Sequence, residues 1–114
     1  GLSPNRVQIG ELSIDVKAHR VTLNGRHVPM GPTEFRMLRL FVTNPDRVYS
    51  RDALLDLIWG RQTYIEERTV DVHIRRLRRC LEKVHYAHII ETVRGEGYRC
   101  NPLPQSPELA SEAP

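Results

Sequence analysis

Apolar and polar residues alternate from Leu12 onward: Leu12, Ile14 and Val16 are separated by Ser13, Asp15 and Lys17. Period two is the signature of a strand with one buried face. Val21 and Leu23 continue the alternation, Asn24-Gly25 follows, and Val28 and Met30 lie beyond it. Asn-Gly between two alternating runs predicts a hairpin, because a type I′ turn needs positive φ at both central residues. The N-terminal third therefore reads as a small antiparallel sheet of three or four strands.

At Gly31-Pro32-Thr33 the period changes. Thr33 is a candidate N-cap, Phe35, Leu38, Phe41 and Val42 fall at helical spacing, and Asn44-Pro45 stops the helix. Val48-Tyr49 reads as a short bridge strand. Ser50 is the next candidate N-cap, and Ala53, Leu54, Leu57 and Ile58 form the apolar face of a second helix that ends near Gly60. A third helix is expected over about 67–84. Two short strands, Ile89 to Val93 and Tyr98 to Cys100, flank Gly95-Glu96-Gly97, a tight hairpin tip. The expected fold class is α+β, with an N-terminal antiparallel sheet, a three-helix core and a C-terminal β-hairpin.

At 114 residues the chain has room for one ordinary domain. Residues 1–6 read as a linker remnant and 7–100 as the folded body. Residues 101–114 hold Pro102, Pro104, Pro107 and Pro114 among small and acidic residues and read as a disordered tail. No internal repeat is present. No run approaches the ~20 apolar residues of a membrane helix, and no charged-then-apolar secretory signal is expected. The two cysteines, Cys80 and Cys100, lack metal-type spacing. Free thiols in a reducing compartment, the cytoplasm, are expected.

The third helix changes the picture most. At about 100° per residue, Val70, Ile74, Leu77 and Leu81 fall on one narrow stripe. Arg68, Val72, Arg75 and Arg79 lie opposite, with Arg76 beside them and Arg78 at the margin. Glu66 and Glu67 sit at the N-terminus, where the helix dipole favours anions and where they can cap. Asp71 is in helical reach of only Arg75 and Arg68, so most of these arginines have no local acidic partner. The whole chain carries only +3, but residues 68–79 hold five arginines against one aspartate, a net +4, which leaves −1 for all the rest. An α-helix fits the DNA major groove, Arg pairs bidentately with guanine, and apolar groups such as Val72 meet thymine methyls. Thr69 stands at the helix start, in reach of a phosphate or base edge. Thr92, Arg94 and Arg99 flank a hairpin tip thin enough for a minor groove, where arginine is drawn by negative potential. The sequence thus points to double-stranded DNA.

Several runs carry a resemblance: Met30-Gly31-Pro32-Thr33-Glu34-Phe35, Val48-Tyr49-Ser50-Arg51, Trp59-Gly60, the stretch from Glu67-Arg68-Thr69-Val70-Asp71-Val72 to Arg78, and Thr92-Val93-Arg94-Gly95-Glu96-Gly97-Tyr98-Arg99. They resemble the effector domain of OmpR/PhoB-type response regulators, above all the phosphate-regulon branch, over about residues 7–100. The resemblance implies a winged helix-turn-helix in which the C-terminal hairpin is the wing. It implies transcription control by a two-component system, with a separate receiver domain phosphorylated by a sensor histidine kinase. It also implies two copies on tandem DNA half-sites. Carried over by position, Arg76, Val72, Thr69, Arg68 and Arg94 are the expected base contacts. Arg75, Arg78, His73, Arg79, Thr92 and Arg51 are the expected backbone contacts. Trp59, Gly60, Tyr64, Ile65 and Glu66 belong to the loop that implies contact with the σ factor of RNA polymerase. Glu96 at the wing tip and the basic Arg61-Gln62-Thr63 in that loop depart from the family pattern.

Two other classes fit the residues less well. A catalytic or metal centre finds no support: His19, His27, His73, His85 and His88 show no hydrolytic metal spacing, Cys80 has no base placed for it, and no cofactor is expected. A winged-helix protein-interaction module without specific DNA readout has no need of an outward, unpaired Arg76. RNA is disfavoured, because its A-form major groove is too narrow for a helix.

Overall fold

The computed structural model describes residues 5–60 and 64–101. Four short strands come first: β1 (Arg6–Ile9), β2 (Leu12–Asp15), β3 (Arg20–Leu23) and β4 (Arg26–His27). They form one antiparallel sheet in sequence order. Asn24 and Gly25 both adopt positive φ, 51° and 84°, as the Asn-Gly turn requires. β1, which precedes the alternation seen in the sequence, pairs Arg6 with Asp15, one residue ahead of the expected domain boundary. Ile9, Leu12, Ile14 and Val21 point from the sheet into the core. Asn101 is tied back, its N–H donating to Ile89 O at 2.8 Å, so the ordered domain reaches it. The remainder of the expected linker and tail, residues 1–4 and 102–114, lies outside the described residues.

Helix α1 spans Pro32–Thr43. Thr33 does not cap it: Gly31 takes the N-cap position and Pro32 follows inside the first turn. Proline fits there because its missing N–H would have had no partner anyway. Phe35, Leu38, Phe41 and Val42 are buried as their spacing predicts. Helix α2 (Arg51–Leu54) is capped by Ser50, whose hydroxyl accepts from the Ala53 N–H at 3.1 Å. It runs on into a π-helical turn, Leu55–Trp59, and stops at Gly60 with φ 93°. The wider π turn advances less per residue, so Leu57 rotates away from the core and is 52% exposed, while Leu54 and Ile58 remain buried. The expected apolar face of α2 therefore loses one member.

Helix α3 spans Glu67–Glu82, ending two residues short of the expected limit. A 3₁₀ turn, Ala87–Ile89, then leads to the hairpin of β5 (Ile90–Val93) and β6 (Gly97–Cys100). Ile89, expected to open the strand, is in the 3₁₀ turn and buried. The short bridge expected at Val48-Tyr49 is present: Tyr49 pairs with Tyr98, holding the hairpin against the chain before α2. Tyr86, in the turn after α3, accepts the Glu11 N–H with its hydroxyl at 2.9 Å and fastens the N-terminal sheet to the end of α3. Both cysteines are free thiols. Among the described residues no helix is long and apolar enough to cross a membrane, and no group of three or more His, Cys, Asp or Glu could hold a metal ion.

Candidate nucleic-acid interface

The stripe of Val70, Ile74, Leu77 and Leu81 is at most 1% exposed, which fixes the rotation of α3. With that face committed to the core, Arg68, Val72, Arg75, Arg76 and Arg79 must face outward, and all are exposed. Arg75, Arg76 and Arg79 make no hydrogen bond or ion pair among the described residues. Val72, 42% exposed, stands among them as an apolar group without a core to fill. Arg94 on the hairpin likewise has no partner among the described residues.

The start of α3 departs from the sequence reading in two ways. Glu66 occupies the N-cap position, yet its carboxylate does not cap; it takes the Arg68 guanidinium instead. Asp71 turns away from Arg68 and meets Arg51, 20 residues earlier, at 2.8 Å, and also accepts the Tyr98 hydroxyl. Burial pushes the Asp71 carboxyl up, but the bonds from Tyr98 and Arg51, with the charges of Arg51 and Arg75, prevail and hold it below the usual carboxylate range. Burial and then the Asp71 carboxylate push the Tyr98 phenol up, so it remains a donor. Arg51, Asp71 and Tyr98 thus join α2, α3 and the hairpin.

Arg78 supplies a second brace. Its guanidinium donates twice to Ile90 O, at 3.1 and 2.9 Å, and once to Thr92 Oγ1 at 2.7 Å, and it lies over the Tyr98 ring. Two of the six residues expected to touch the phosphate backbone, Arg78 and Thr92, are therefore bonded to each other. On the strand beside them Arg99 pairs with Glu91 at 2.9 Å, which holds the Glu91 carboxyl below its usual range. A depression of about 410 Å³ opens between Ser50-Arg51-Asp52, Glu67 and the hairpin at Gly95-Glu96-Gly97.

His73 sits on the other edge of the arginine face. Its Nδ1 lies 2.6 Å from Glu34 Oε1 of α1, and its ring is 5.2 Å from that of Trp59. Glu34 is the one buried charged residue among those described, at 7% exposure, a role that sequence reasoning missed. A signal was there, since Glu34 occupies the same helical face as Met37, Leu38 and Phe41, where an acid demands a partner. Of the expected polymerase loop, Trp59 packs partly on the core, Gly60 ends α2, Ile65 is half-buried and Tyr64 is fully exposed. Arg61, Gln62 and Thr63 lie outside the described residues.

The family described as "Transcriptional regulatory protein, C terminal" matches residues 25–100. The chain is 52% identical over 99 residues to the phosphate regulon transcriptional regulatory protein PhoB of Pseudomonas aeruginosa. That alignment covers 87% of this chain but 43% of the relative, so the chain spans less than half the length of the curated protein it matches. Among solved structures, the Klebsiella pneumoniae RstA DNA-binding domain in complex with the RstA box superposes with a TM-score of 0.74 at 35% identity, covering 85% of this chain and 97% of that one. The response regulator DrrB, a Thermotoga maritima OmpR/PhoB homolog, superposes with a TM-score of 0.76 at 28% identity, covering 85% and 44%. With the sheet, the three helices and the hairpin arranged as in these domains, the chain belongs to the OmpR/PhoB family, as an effector domain of transcriptional regulators.

Proposed function

We propose that the chain binds double-stranded DNA sequence-specifically, as the effector domain of a two-component response regulator that controls transcription. Helix α3 enters the major groove and the hairpin, as the wing, the adjacent minor groove. The observation that carries this is the outward face of α3, where Arg75, Arg76 and Arg79 are exposed around Val72 with no hydrogen bond or ion pair among the described residues. The RstA domain, solved with its DNA box, supports the same use of the fold.

Arg76 reads a guanine, Val72 meets thymine methyls, and Thr69 and Arg68 touch the DNA at the helix start. Arg75 and Arg79 grip phosphates, and Arg94 enters the minor groove. Arg51 through Asp71, and Arg78 through Ile90 and Thr92, serve chiefly by these protein bonds, which set the angle between helix and wing. Two copies occupy tandem half-sites, brought together by receiver domains that a sensor histidine kinase phosphorylates. The segment that holds Trp59, Gly60, Tyr64, Ile65 and Glu66 contacts the σ factor of RNA polymerase. Leu57 just before it and Tyr64 within it, both large and exposed, support such a contact.

Selection of bound duplexes from a random pool tests the reading and returns half-site, spacing and orientation together. Arg76→Ala is expected to cost about 1–3 kcal/mol and relax one base pair, whereas Arg75→Ala weakens all sequences alike. Equal losses on selected and random duplex for both variants would sink these roles. A pool that never enriches would sink sequence-specific binding altogether and leave a protein-interaction module.

A further inference from the structure

The pairing of His73 with Glu34 has a chemical consequence for the interface, and it rests on the DNA reading above. Glu34 is buried in α1 and its carboxylate takes His73 Nδ1 at 2.6 Å. An imidazole whose Nδ1–H is committed in this way has only Nε2 left. Neutral, that nitrogen is an acceptor, which a phosphate repels; in the imidazolium it is a donor, which a phosphate attracts. His73 retains 17% side-chain exposure, Nε2 has no partner among the described residues, and no buried side-chain nitrogen or oxygen among them lacks a hydrogen bond. Nε2 is therefore the open end of the ring. It lies one helical turn from Thr69 and Arg76, on the margin of the face proposed to meet DNA.

We propose that Glu34 is a positioning residue that favours the imidazolium of His73 when a DNA phosphate meets Nε2, so that Nε2–H donates to the phosphate and binding takes up a proton. The groups facing the ring fit this. From α1 comes the Glu34 carboxylate, which stabilises the cation. From the end of α2 comes the Trp59 indole, whose ring quadrupole favours a cation beside it. On α3 itself Arg76, one turn on, opposes the charge until a phosphate arrives between the two, and Cys80, two turns on, stands in the field of Glu34. The same Nδ1 bond fixes the plane of the ring, so the donor direction is set before DNA arrives.

The phosphate contact carries no sequence information, so a random-sequence duplex at low salt is a sufficient probe. Dissociation constants measured between about pH 6 and 8 are expected to rise with pH, by at most about tenfold per unit for one proton taken up. His73→Gln should bind weakly with no pH slope. Glu34→Gln keeps the shape but removes the charge, so it should bind weakly near neutrality and recover on acidification, which lost folding would not do. Wild-type affinity that is flat with pH, or an unchanged slope in His73→Gln, overturns the proposal and leaves DNA binding intact. If the wild type binds no duplex at any pH, the reading on which it rests fails, and the proposal with it.

Discussion

At the scale of single residues, Asp71 shows how much a side chain's neighbours decide. On the helix its reachable partners are Arg68 and Arg75, yet it bonds Arg51 and Tyr98. Its carboxyl is held below the usual range, so its contribution to stability is present above the unfolded-state value near 3.9 and is lost as pH falls through the lower folded value. Asp71→Asn is expected to cost about 1–2 kcal/mol near neutrality, an allowance reduced for its partial exposure. Urea unfolding at neutral pH and again below about pH 3 checks this. The gap between wild type and variant should shrink in acid, and a gap of equal size at both pH values would refute the network as its source. Cys100 makes the opposite case: burial, aided by the charges of Asp46 and Glu91, pushes its thiol up to about 11, which suits a packing residue.

At the scale of elements, the hairpin is held by a backbone contact that only glycine permits. A Cβ on Gly97 would collide with the Tyr49 carbonyl, at the bridge between Tyr49 and Tyr98. Gly97→Ala should therefore lower the melting temperature and loosen the wing without touching α3. Hydrogen exchange would show it as lost protection at Tyr49 and Tyr98, and unchanged protection there would contradict it. Gly95, by contrast, meets nothing, although its φ of 78° also favours glycine. Periodicity made α1, α3, the Asn-Gly turn and both hairpin strands legible, because each is a local pattern. The face of α3 was legible for the same reason: four apolar residues at helical spacing leave the arginines one direction to point. The π turn that exposes Leu57 was not legible, since it differs from an α-helix by a single residue's advance. Nor were the pairs Glu34–His73 and Arg51–Asp71, which span 39 and 20 residues and exist only once helices pack.

At the scale of the whole molecule, positive charge alone does not single out the interface. Residues 17–39 carry Lys17, Arg20, Arg26, Arg36 and Arg39 against Glu34, also a net +4. Of these, Arg36 lies on the solvent face of α1, whereas the arginines of α3 flank an exposed valine beside a thin hairpin. Salt dependence separates the two regions. Each phosphate neutralised adds about −0.9 to the slope of log affinity against log salt. Replacing Arg75 and Arg79 together by alanine should flatten that slope by about 1.8, and Arg36→Ala should leave it unchanged. If Arg36→Ala flattens the slope as much as the α3 pair does, the charge acts from the whole surface and not from one helix.

The brace made by Arg78 has one more consequence. A single guanidinium grips Ile90 and Thr92 of the hairpin while rooted in α3, and the Tyr98 ring beneath it is itself tied to Asp71 of the same helix. Helix and hairpin cannot swing independently without breaking several bonds at once. The pair is a caliper with fixed jaws. On a duplex docked as proposed, opening the jaws costs those bonds, so much of the work of fitting falls on the DNA. Stretches whose grooves already stand at the jaws' separation are gripped at little cost, and stiff ones that do not match are rejected without any base being read.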